Sequence, residues 1–157
     1  MRIGLFPGTF DPITIGHLDI IHRSQRLFDK LYIGIGRNSS KTSMFSEEQR
    51  LDWIKEIYKD NPKIEAVVYD GLTVECCKQI GANFILRGIR YVNDFEYEKA
   101  IADMNRSLNN NIETIFLTCL PQYTSVASTL VRDVLRNGGD AEQFLPEIVV
   151  RSLKNKK

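Results

Sequence analysis

The sequence predicts an α/β fold: a single-domain, doubly wound, five-stranded parallel sheet of the Rossmann-like kind. Three observations predict it. Five short apolar runs alternate with longer segments of helical periodicity, which is the pattern of repeated strand–helix units. The runs are mostly continuous rather than alternating, as expected for parallel strands that are covered on both faces. The length of 157 residues suits one domain, 1–157.

Each strand and helix follows from a run or a period in the sequence. The five apolar runs predict strands at residues 2–6, 31–35, 64–69, 84–86 and 114–117. The helical patterns between and after them predict helices at residues 18–28, 47–58, 73–80, 94–108 and 129–136, with a last short helix after Pro146. Each of the five predicted strands is followed by a predicted helix, and five such units in succession indicate a doubly wound α/β sheet.

Cap residues support three of these helices. Ser46 and Gln49 are spaced as a capping box at the start of the second helix. Asn93 and the glutamate three residues later form a similar signal before the fourth helix. Gly81 follows the third helix, at the position where a left-handed residue commonly ends a helix. The helix boundaries are therefore best specified at these three points.

Composition excludes several classes of protein. The formal net charge is +1, so no bulk attraction to nucleic acid or to an anionic membrane is expected. No run of about 20 apolar residues is present, and the chain meets Pro7 and Gly8 too early for a signal peptide. The three cysteines, Cys76, Cys77 and Cys119, are odd in number and lack a CxxC spacing. Reduced thiols in the cytoplasm are therefore expected rather than disulfides or a zinc site.

The loop after the first strand, residues 7–17, is the first candidate for ligand binding, because such folds bind ligands at the carboxyl ends of their strands. It matches neither the dinucleotide fingerprint nor the P-loop. Gly8 and Gly16 nevertheless allow backbone N–H groups to approach a ligand, and Thr9 offers a hydroxyl. His17 stands at the start of a helix, where an anion is favoured. Spacing alone also permits a connecting loop with a helix-capping histidine.

The loop after the fourth strand is the second candidate. Arg87 and Arg90, with Gly88 between them, could present two guanidinium groups to phosphates. The alternative is a surface ion-pair cluster with the acidic residues that follow, Asp94, Glu96 and Glu98. In the first loop, Asp11 is expected to have a structural role and to cap the loop through an Asx-turn.

Several of these segments resemble one family. Thr14-Ile15-Gly16-His17 resembles the T/H-x-G-H motif of the nucleotidyltransferase superfamily, and the longer string at 7–17 resembles phosphopantetheine adenylyltransferases. The segments 87–90 and 94–98 resemble that family's R-G-[LI]-R and D-[FY]-E-Y-E. The segment 123–131 resembles its I-S-S-S-L-V element but carries Ala127 and Thr129 in place of two serines. The resemblance spans nearly the whole chain and implies the Rossmann-like nucleotidyltransferase fold.

The resemblance implies transfer of the adenylyl group of ATP to 4′-phosphopantetheine, giving dephospho-coenzyme A and pyrophosphate. It implies His17 as the catalytic residue, which acts with Thr9 on the α-phosphoryl group. It implies that ATP is bound by Thr9, Phe10, His17, Gly88, Ile89, Arg90, Glu98, Tyr123, Thr124, Ser125, Val126, Ala127, Ser128 and Thr129. It implies that the acceptor substrate is bound by Thr9, Lys41, Thr73 and Arg87.

The resemblance further implies Mg²⁺ bridging the phosphates of ATP, a homohexamer, and coenzyme A as a candidate inhibitor. Other readings remain open at this point. The T/H-x-G-H segment also fits a nicotinamide mononucleotide adenylyltransferase or a cytidylyltransferase. A fragment of a class I aminoacyl-tRNA synthetase shares the motif, but the chain has no K-M-S-K-S string. A non-catalytic nucleotide sensor is the alternative of a different class.

Overall fold

The computed structural model of the protein describes residues 1–38, 40 and 42–156. Five strands form one parallel sheet: β1 (Ile3–Gly8), β2 (Lys30–Gly36), β3 (Ile64–Tyr69), β4 (Phe84–Ile89) and β5 (Glu113–Thr118). Six α-helices accompany them: α1 (Ile15–Ser24), α2 (Glu47–Ile57), α3 (Thr73–Ile80), α4 (Val92–Leu108), α5 (Ser128–Arg136) and α6 (Glu147–Lys154). The predicted single-domain α/β fold with five parallel strands is confirmed.

Two hydrophobic clusters cover the two faces of the sheet. Neighbouring residues of β1 point to opposite sides, so Phe6 joins one cluster and Leu5 the other. The larger cluster packs helices α1, α2, α5 and α6 against the sheet through side chains such as Ile21 and Trp53. The smaller one contains Val74 and both cysteines of α3. Because both faces are buried, the strands read as continuous apolar runs.

The strand order is β3-β2-β1-β4-β5, so the order reverses between β1 and β4. β1 pairs with β2 along its whole length, up to Gly8 with Ile35. Its pairing with β4 ends at Leu5, which lies opposite Ile85. Beyond that point β1 and β4 separate and leave a crevice at their carboxyl ends. This is the switch point at which doubly wound folds bind ligands.

The strand β4 is longer than the sequence predicts. It continues through Arg87 and Gly88 to Ile89, pairing with β5 all the way to Thr118. The prediction that the strand ends at Leu86 was therefore wrong. A charged residue and a glycine interrupt the apolar run, but the ladder is made of backbone groups and does not depend on those side chains.

Two predicted helix starts and one predicted loop contact were also wrong. α1 begins at Ile15 because Thr14 caps it. α4 begins at Val92 rather than at Asp94. The predicted Asn93 cap does not form; Asp94 instead accepts the backbone N–H groups of Arg90 and Tyr91. Asp11 makes no Asx-turn. The capping box of Ser46 and Gln49 and the left-handed Gly81 are confirmed.

The buried carboxylate of Asp11 crosses to the loop between β2 and α2. One of its oxygens accepts the N–H of Met44 at 2.8 Å and the other accepts the N–H of Phe45 at 2.9 Å. The Asx-turn prediction considered only local partners, and these partners lie more than 30 positions away.

Among the described helices, none is both long and apolar enough to cross a bilayer.

Candidate active site

A cavity of about 530 Å³ occupies the crevice between β1 and β4. It brings together residues from the first loop, β4, α4 and the start of α5. The predicted site residues on its wall are Thr9, Phe10, His17, Arg87, Gly88, Arg90, Glu98, Val126, Ala127, Ser128 and Thr129. Segments distant in the sequence therefore meet at one place, where the fold predicts a ligand.

His17 is the third residue of α1 and forms a reciprocal cap with Thr14. The Thr14 backbone N–H donates to His17 Nδ1 at 2.9 Å, and the His17 N–H donates to Thr14 Oγ1 at 3.4 Å. A ring nitrogen that accepts a hydrogen bond carries no proton, so in the neutral ring the proton is on Nε2. His17 therefore caps its helix with one nitrogen and keeps the other as a donor.

The surroundings of His17 hold its ring neutral. The ring lies edge-on to Phe10, with 4.9 Å between the ring centroids. Burial, together with the positive charges of Arg90 and Arg87, lowers the pKa of His17 from 6.5 to about 4. At neutral pH the ring can donate a hydrogen bond to an anion but has little tendency to act as a general acid.

This pKa predicts how the free protein titrates. An NMR titration of the ring protons should show one histidine that is still neutral at pH 5, and a His22→Gln variant assigns the signals, because the chain has two histidines. The same titration in denaturant should move the His17 midpoint to about 6.5. A folded-state midpoint for His17 near 6.5 would contradict the neutral ring.

The same shift makes stability depend on pH in a defined window. Between pH 6.5 and about 4 the unfolded chain binds a proton at His17 that the folded chain does not bind. The free energy of unfolding should therefore fall as the pH drops through that window. Because His17 is only half-buried, water screens part of this effect. We expect the free energy of unfolding to fall by about 1–2 kcal/mol rather than by the full value of the pKa shift.

The start of α5 faces the same cavity. Its first residue follows Ala127, which provides no side-chain cap. The N–H groups of the first turn are therefore available to an anion, and the helix dipole favours one there. The hydroxyl of Ser128 does not cap the helix; it donates to the carbonyl of Pro12 at 2.7 Å. The backbone at this helix start is thus better placed than the serine hydroxyl proton to bind phosphate.

Arg87 and Glu98 form a partly buried ion pair at the edge of the cavity. Arg87 Nε and Nη2 donate to the two carboxylate oxygens of Glu98 at 2.7 and 2.6 Å. Arg87 Nη1 donates to the carbonyl of Pro7 at 2.5 Å and so bridges the gap between β4 and β1. Three of its five N–H groups are engaged in these bonds, so two remain for a ligand.

A second cavity, of about 370 Å³, also borders this ion pair. Both cavities are lined by Pro7, Gly8, Thr9, Arg87 and Glu98. Thr73 also lines the second cavity, where its hydroxyl lies 3.0 Å from the hydroxyl of Tyr69. The predicted acceptor residues Thr9, Thr73 and Arg87 are therefore brought to one place. Lys41 lies outside the described residues.

Some predicted ATP-binding residues do not line the cavity. Ile89, Tyr123, Thr124 and Ser125 are absent from its wall, and their contact with ATP stays a prediction. Arg90 does line the cavity, and its Nε lies 3.7 Å from the carboxylate of Asp94. That distance makes a loose pair, so the Arg90 guanidinium is open to a second anion.

Sequence reasoning missed two arginines that hold the first loop. Arg132 of α5 donates to the carbonyl of Asp11 at 2.7 Å. Arg50 of α2 donates to the carbonyl of Thr9 at 2.7 Å. A signal existed for the second one, because Arg50 lies at helical spacing from Trp53 and Ile54 and so falls on the buried face of α2. A charged residue on such a face needs an explanation.

Comparisons with known proteins agree with this geometry. A family model described as cytidylyltransferase-like matches residues 5–134. A protein of Flavobacterium psychrophilum named phosphopantetheine adenylyltransferase is 53% identical over 149 residues, which cover 95% of this chain and 98% of the relative. Proteins of the same name from Bacteroides thetaiotaomicron and Lachnoclostridium phytofermentans are 50% and 42% identical. They cover 94% and 99% of this chain, and 97% and 96% of their own lengths.

A solved structure shows the same fold. The lipopolysaccharide core biosynthesis protein of Thermoplasma volcanium GSS1 is similar with a TM-score of 0.57 and 21% sequence identity. The likeness covers 76% of this chain and 97% of that one. At this identity the likeness shows the fold alone.

Proposed function

Because this chain belongs to the cytidylyltransferase-like family and to the phosphopantetheine adenylyltransferases within it, we propose that its crevice carries out the reaction which that name describes. The chain is a nucleotidyltransferase of coenzyme A biosynthesis. It transfers the adenylyl group of ATP to 4′-phosphopantetheine and releases dephospho-coenzyme A and pyrophosphate. The observation that carries the assignment to this site is the meeting of two cavities at Thr9, Arg87 and Glu98, since two substrates must meet where the bond forms.

The chemistry calls for hydrogen-bond donors rather than for a strong base. The attacking group is a phosphate monoester, which is already anionic at neutral pH. The difficulty is to bring two polyanions together in line and to stabilise the charge that develops on the α-phosphoryl oxygens. A neutral His17 with its proton on Nε2 is such a donor. We assign His17 and Thr9 to the α-phosphoryl group.

We place ATP in the larger cavity. Its β- and γ-phosphates lie at the start of α5, where free backbone N–H groups meet Arg90. The remaining ATP contacts are assigned to Phe10, Gly88, Ile89, Glu98 and residues 123–129, as the sequence predicts. Both Glu98 oxygens accept from Arg87, so we assign Glu98 to the wall of the ATP cavity rather than to a hydrogen bond with ATP.

We place 4′-phosphopantetheine in the second cavity. Its phosphate would lie at the junction of the cavities, near the two unengaged N–H groups of Arg87, with Lys41 as a further cation. Its pantetheine arm would extend past Thr73. The second cavity suits such an arm because it combines apolar walls, such as Ile85 and Ile101, with the hydroxyls of Tyr69 and Thr73.

A divalent metal ion accompanies ATP in nucleotidyltransferases, and we propose Mg²⁺. Within the described residues, no group of three or more His, Cys, Asp or Glu side chains is placed to hold a metal. One oxygen of the Asp94 carboxylate accepts two backbone N–H groups, and both oxygens of Glu98 accept from Arg87. The ion would therefore be held by the phosphates of ATP and by water, as Mg²⁺ commonly is. When bound, it supplies positive charge for the leaving pyrophosphate.

We also propose that the protein acts as a homohexamer in the cytoplasm, with coenzyme A as an inhibitor at the substrate site. Support for self-association comes from α4, in which Glu98 is the single buried residue. This helix exposes six apolar side chains: Val92, Phe95, Tyr97, Ile101, Met104 and Leu108. The last four follow one another at spacings of four, three and four residues and so form one exposed apolar row. A second copy that covers this row would remove an apolar patch from water. The cytoplasmic location rests on the three free thiols.

A pyrophosphate-release assay tests the function. The protein should release pyrophosphate from Mg-ATP when 4′-phosphopantetheine is added, and should form dephospho-coenzyme A in equal amount. Nicotinamide mononucleotide and phosphocholine with CTP serve as matched controls and should give background release. Release with nicotinamide mononucleotide in place of 4′-phosphopantetheine would overturn the proposal. Absence of release with every acceptor would favour a nucleotide sensor.

A further inference from the structure

The carbonyl groups of the first loop are held by side chains from three other elements. The carbonyl oxygen of Pro7 accepts from Arg87 of β4, and that of Thr9 accepts from Arg50 of α2. The carbonyls of Asp11 and Pro12 accept from α5, through Arg132 and Ser128. The loop that carries the proposed α-phosphoryl contacts is therefore held in place by hydrogen bonds from β4, α2 and α5.

Arg50 is the most buried of these arginines, with 7% of its surface exposed. Its Nη1 donates to Thr9 at 2.7 Å, and its Nε lies 3.1 and 3.4 Å from the carbonyls of Phe45 and Ser46. Among the described residues, no carboxylate lies within 4.0 Å of it. Glu47 acts on Arg50 only at longer range, and burying a charge without a directly paired carboxylate is costly. Trp53 and Ile54 already bury the same face of α2, so docking of the helix does not explain an arginine here.

The contact of Arg50 with Thr9 sets the direction of one peptide group. The bond between Thr9 and Phe10 is trans, because the single cis peptide in the described residues is Asp11–Pro12. A trans peptide directs its N–H opposite to its C=O. With the Thr9 carbonyl held by α2, the Phe10 N–H points the other way. In the described part of the chain this N–H donates to no protein acceptor, and both residues line the larger cavity.

Phe10 also has a φ angle of +47°. This left-handed conformation is unfavourable for a bulky residue and persists where the surroundings hold it. The Phe10 ring is held in an edge-to-face arrangement with Phe6, at 5.4 Å, and with His17. Arg50 holds the peptide that precedes Phe10. The Phe10 ring packs against His17, and the peptide before it is held separately by Arg50.

We propose that Arg50 is a positioning residue for adenylyl transfer: it holds the Thr9–Phe10 peptide so that the Phe10 N–H faces the α-phosphoryl group beside His17 Nε2. This inference rests on the proposed function. Through Phe45, Arg50 also holds the loop between β2 and α2, whose N–H groups at Met44 and Phe45 donate to Asp11. One guanidinium therefore links the first loop to the loop between β2 and α2.

The test compares Arg50→Lys and Arg50→Gln with the wild type in steady-state assays at 25 °C. Lysine keeps the charge but has no planar fork, so it can satisfy fewer of the three carbonyls. We expect kcat to fall on the order of 10- to 100-fold, since a misplacement of about 1 Å can cost that much. The KM values for ATP and 4′-phosphopantetheine should stay within about twofold, because the misplaced donor, the Phe10 N–H, acts on charge that develops in the transition state. The lysine variant should retain more activity than the glutamine variant.

Trp53→Phe is the matched control, because it loosens the same face of α2 and leaves Arg50 in place. It should lower Tm while kcat stays near the wild-type value. If folded Arg50 variants lose Tm but keep kcat within about twofold, as Trp53→Phe is expected to do, Arg50 is merely structural and the inference fails. A rise in KM without a fall in kcat would also overturn it. If Arg50→Gln does not fold, Arg50→Lys decides alone. An inactive wild type would refute the proposed function instead.

Discussion

Replacing His17 with alanine should lower kcat by about 10²- to 10³-fold, while the Kd for ATP changes by no more than about threefold. The size follows from the loss of one preorganised donor to charge that develops in the transition state. The ground-state phosphates keep their other donors at the start of α5 and at Arg90, so ATP binding should survive. Steady-state kinetics give kcat, and titration calorimetry with ATP alone gives Kd.

The His17→Ala variant also loses half of the cap of α1, which by itself costs about 1 kcal/mol of stability. Thr14→Ala is the matched control, because it removes Thr14 Oγ1 from the same cap but keeps the Thr14 N–H that orients the His17 ring. We expect a similar loss of Tm in both variants, and a much smaller loss of kcat in Thr14→Ala. A His17→Ala enzyme within a factor of about two of the wild type would refute the role of the ring.

His17 shows how far sequence reasoning reaches. The sequence left two readings open, a helix-capping histidine and a donor to phosphate. The structure confirms the cap and shows that the readings are compatible, because Nδ1 serves the helix and Nε2 remains free. Local spacing predicts such a cap well, since both partners lie within one turn. The strands were predictable for the same reason: their apolar runs are local features.

Arg87 shows where sequence reasoning stops. Its two readings were a phosphate contact and an ion pair in a surface cluster. The structure shows an ion pair with Glu98, placed between two cavities instead of on the surface. That geometry depends on the length of β4, its separation from β1 and the rotation of α4. The spacing of residues along the sequence predicts none of these three features. The partners of Asp11, and Thr9 as the partner of Arg50, lie 33–41 positions away in the sequence.

Replacing Arg87 with methionine should raise the KM for 4′-phosphopantetheine by about 10- to 150-fold and that for ATP by less than about threefold. The estimate corresponds to about 1.5–3 kcal/mol for hydrogen bonds to a charged group. Methionine keeps much of the side-chain volume. The substitution leaves Glu98, with 10% of its side chain exposed, without its partner. Since Arg87 is itself 29% exposed, we expect a stability loss of about 2 kcal/mol, below the 3–5 kcal/mol of a fully buried pair.

The loss of stability and the loss of acceptor binding can be separated with the double variant Arg87→Met/Glu98→Gln. It lacks the same arginine but contains no orphan carboxylate, so denaturant melts should show most of the stability recovered. The high KM for 4′-phosphopantetheine should remain, because the donors to its phosphate are still missing. Recovery of the KM together with the stability would mean that Arg87 acts only through the fold. A change in ATP affinity alone would mean that the two anion sites are assigned the wrong way round.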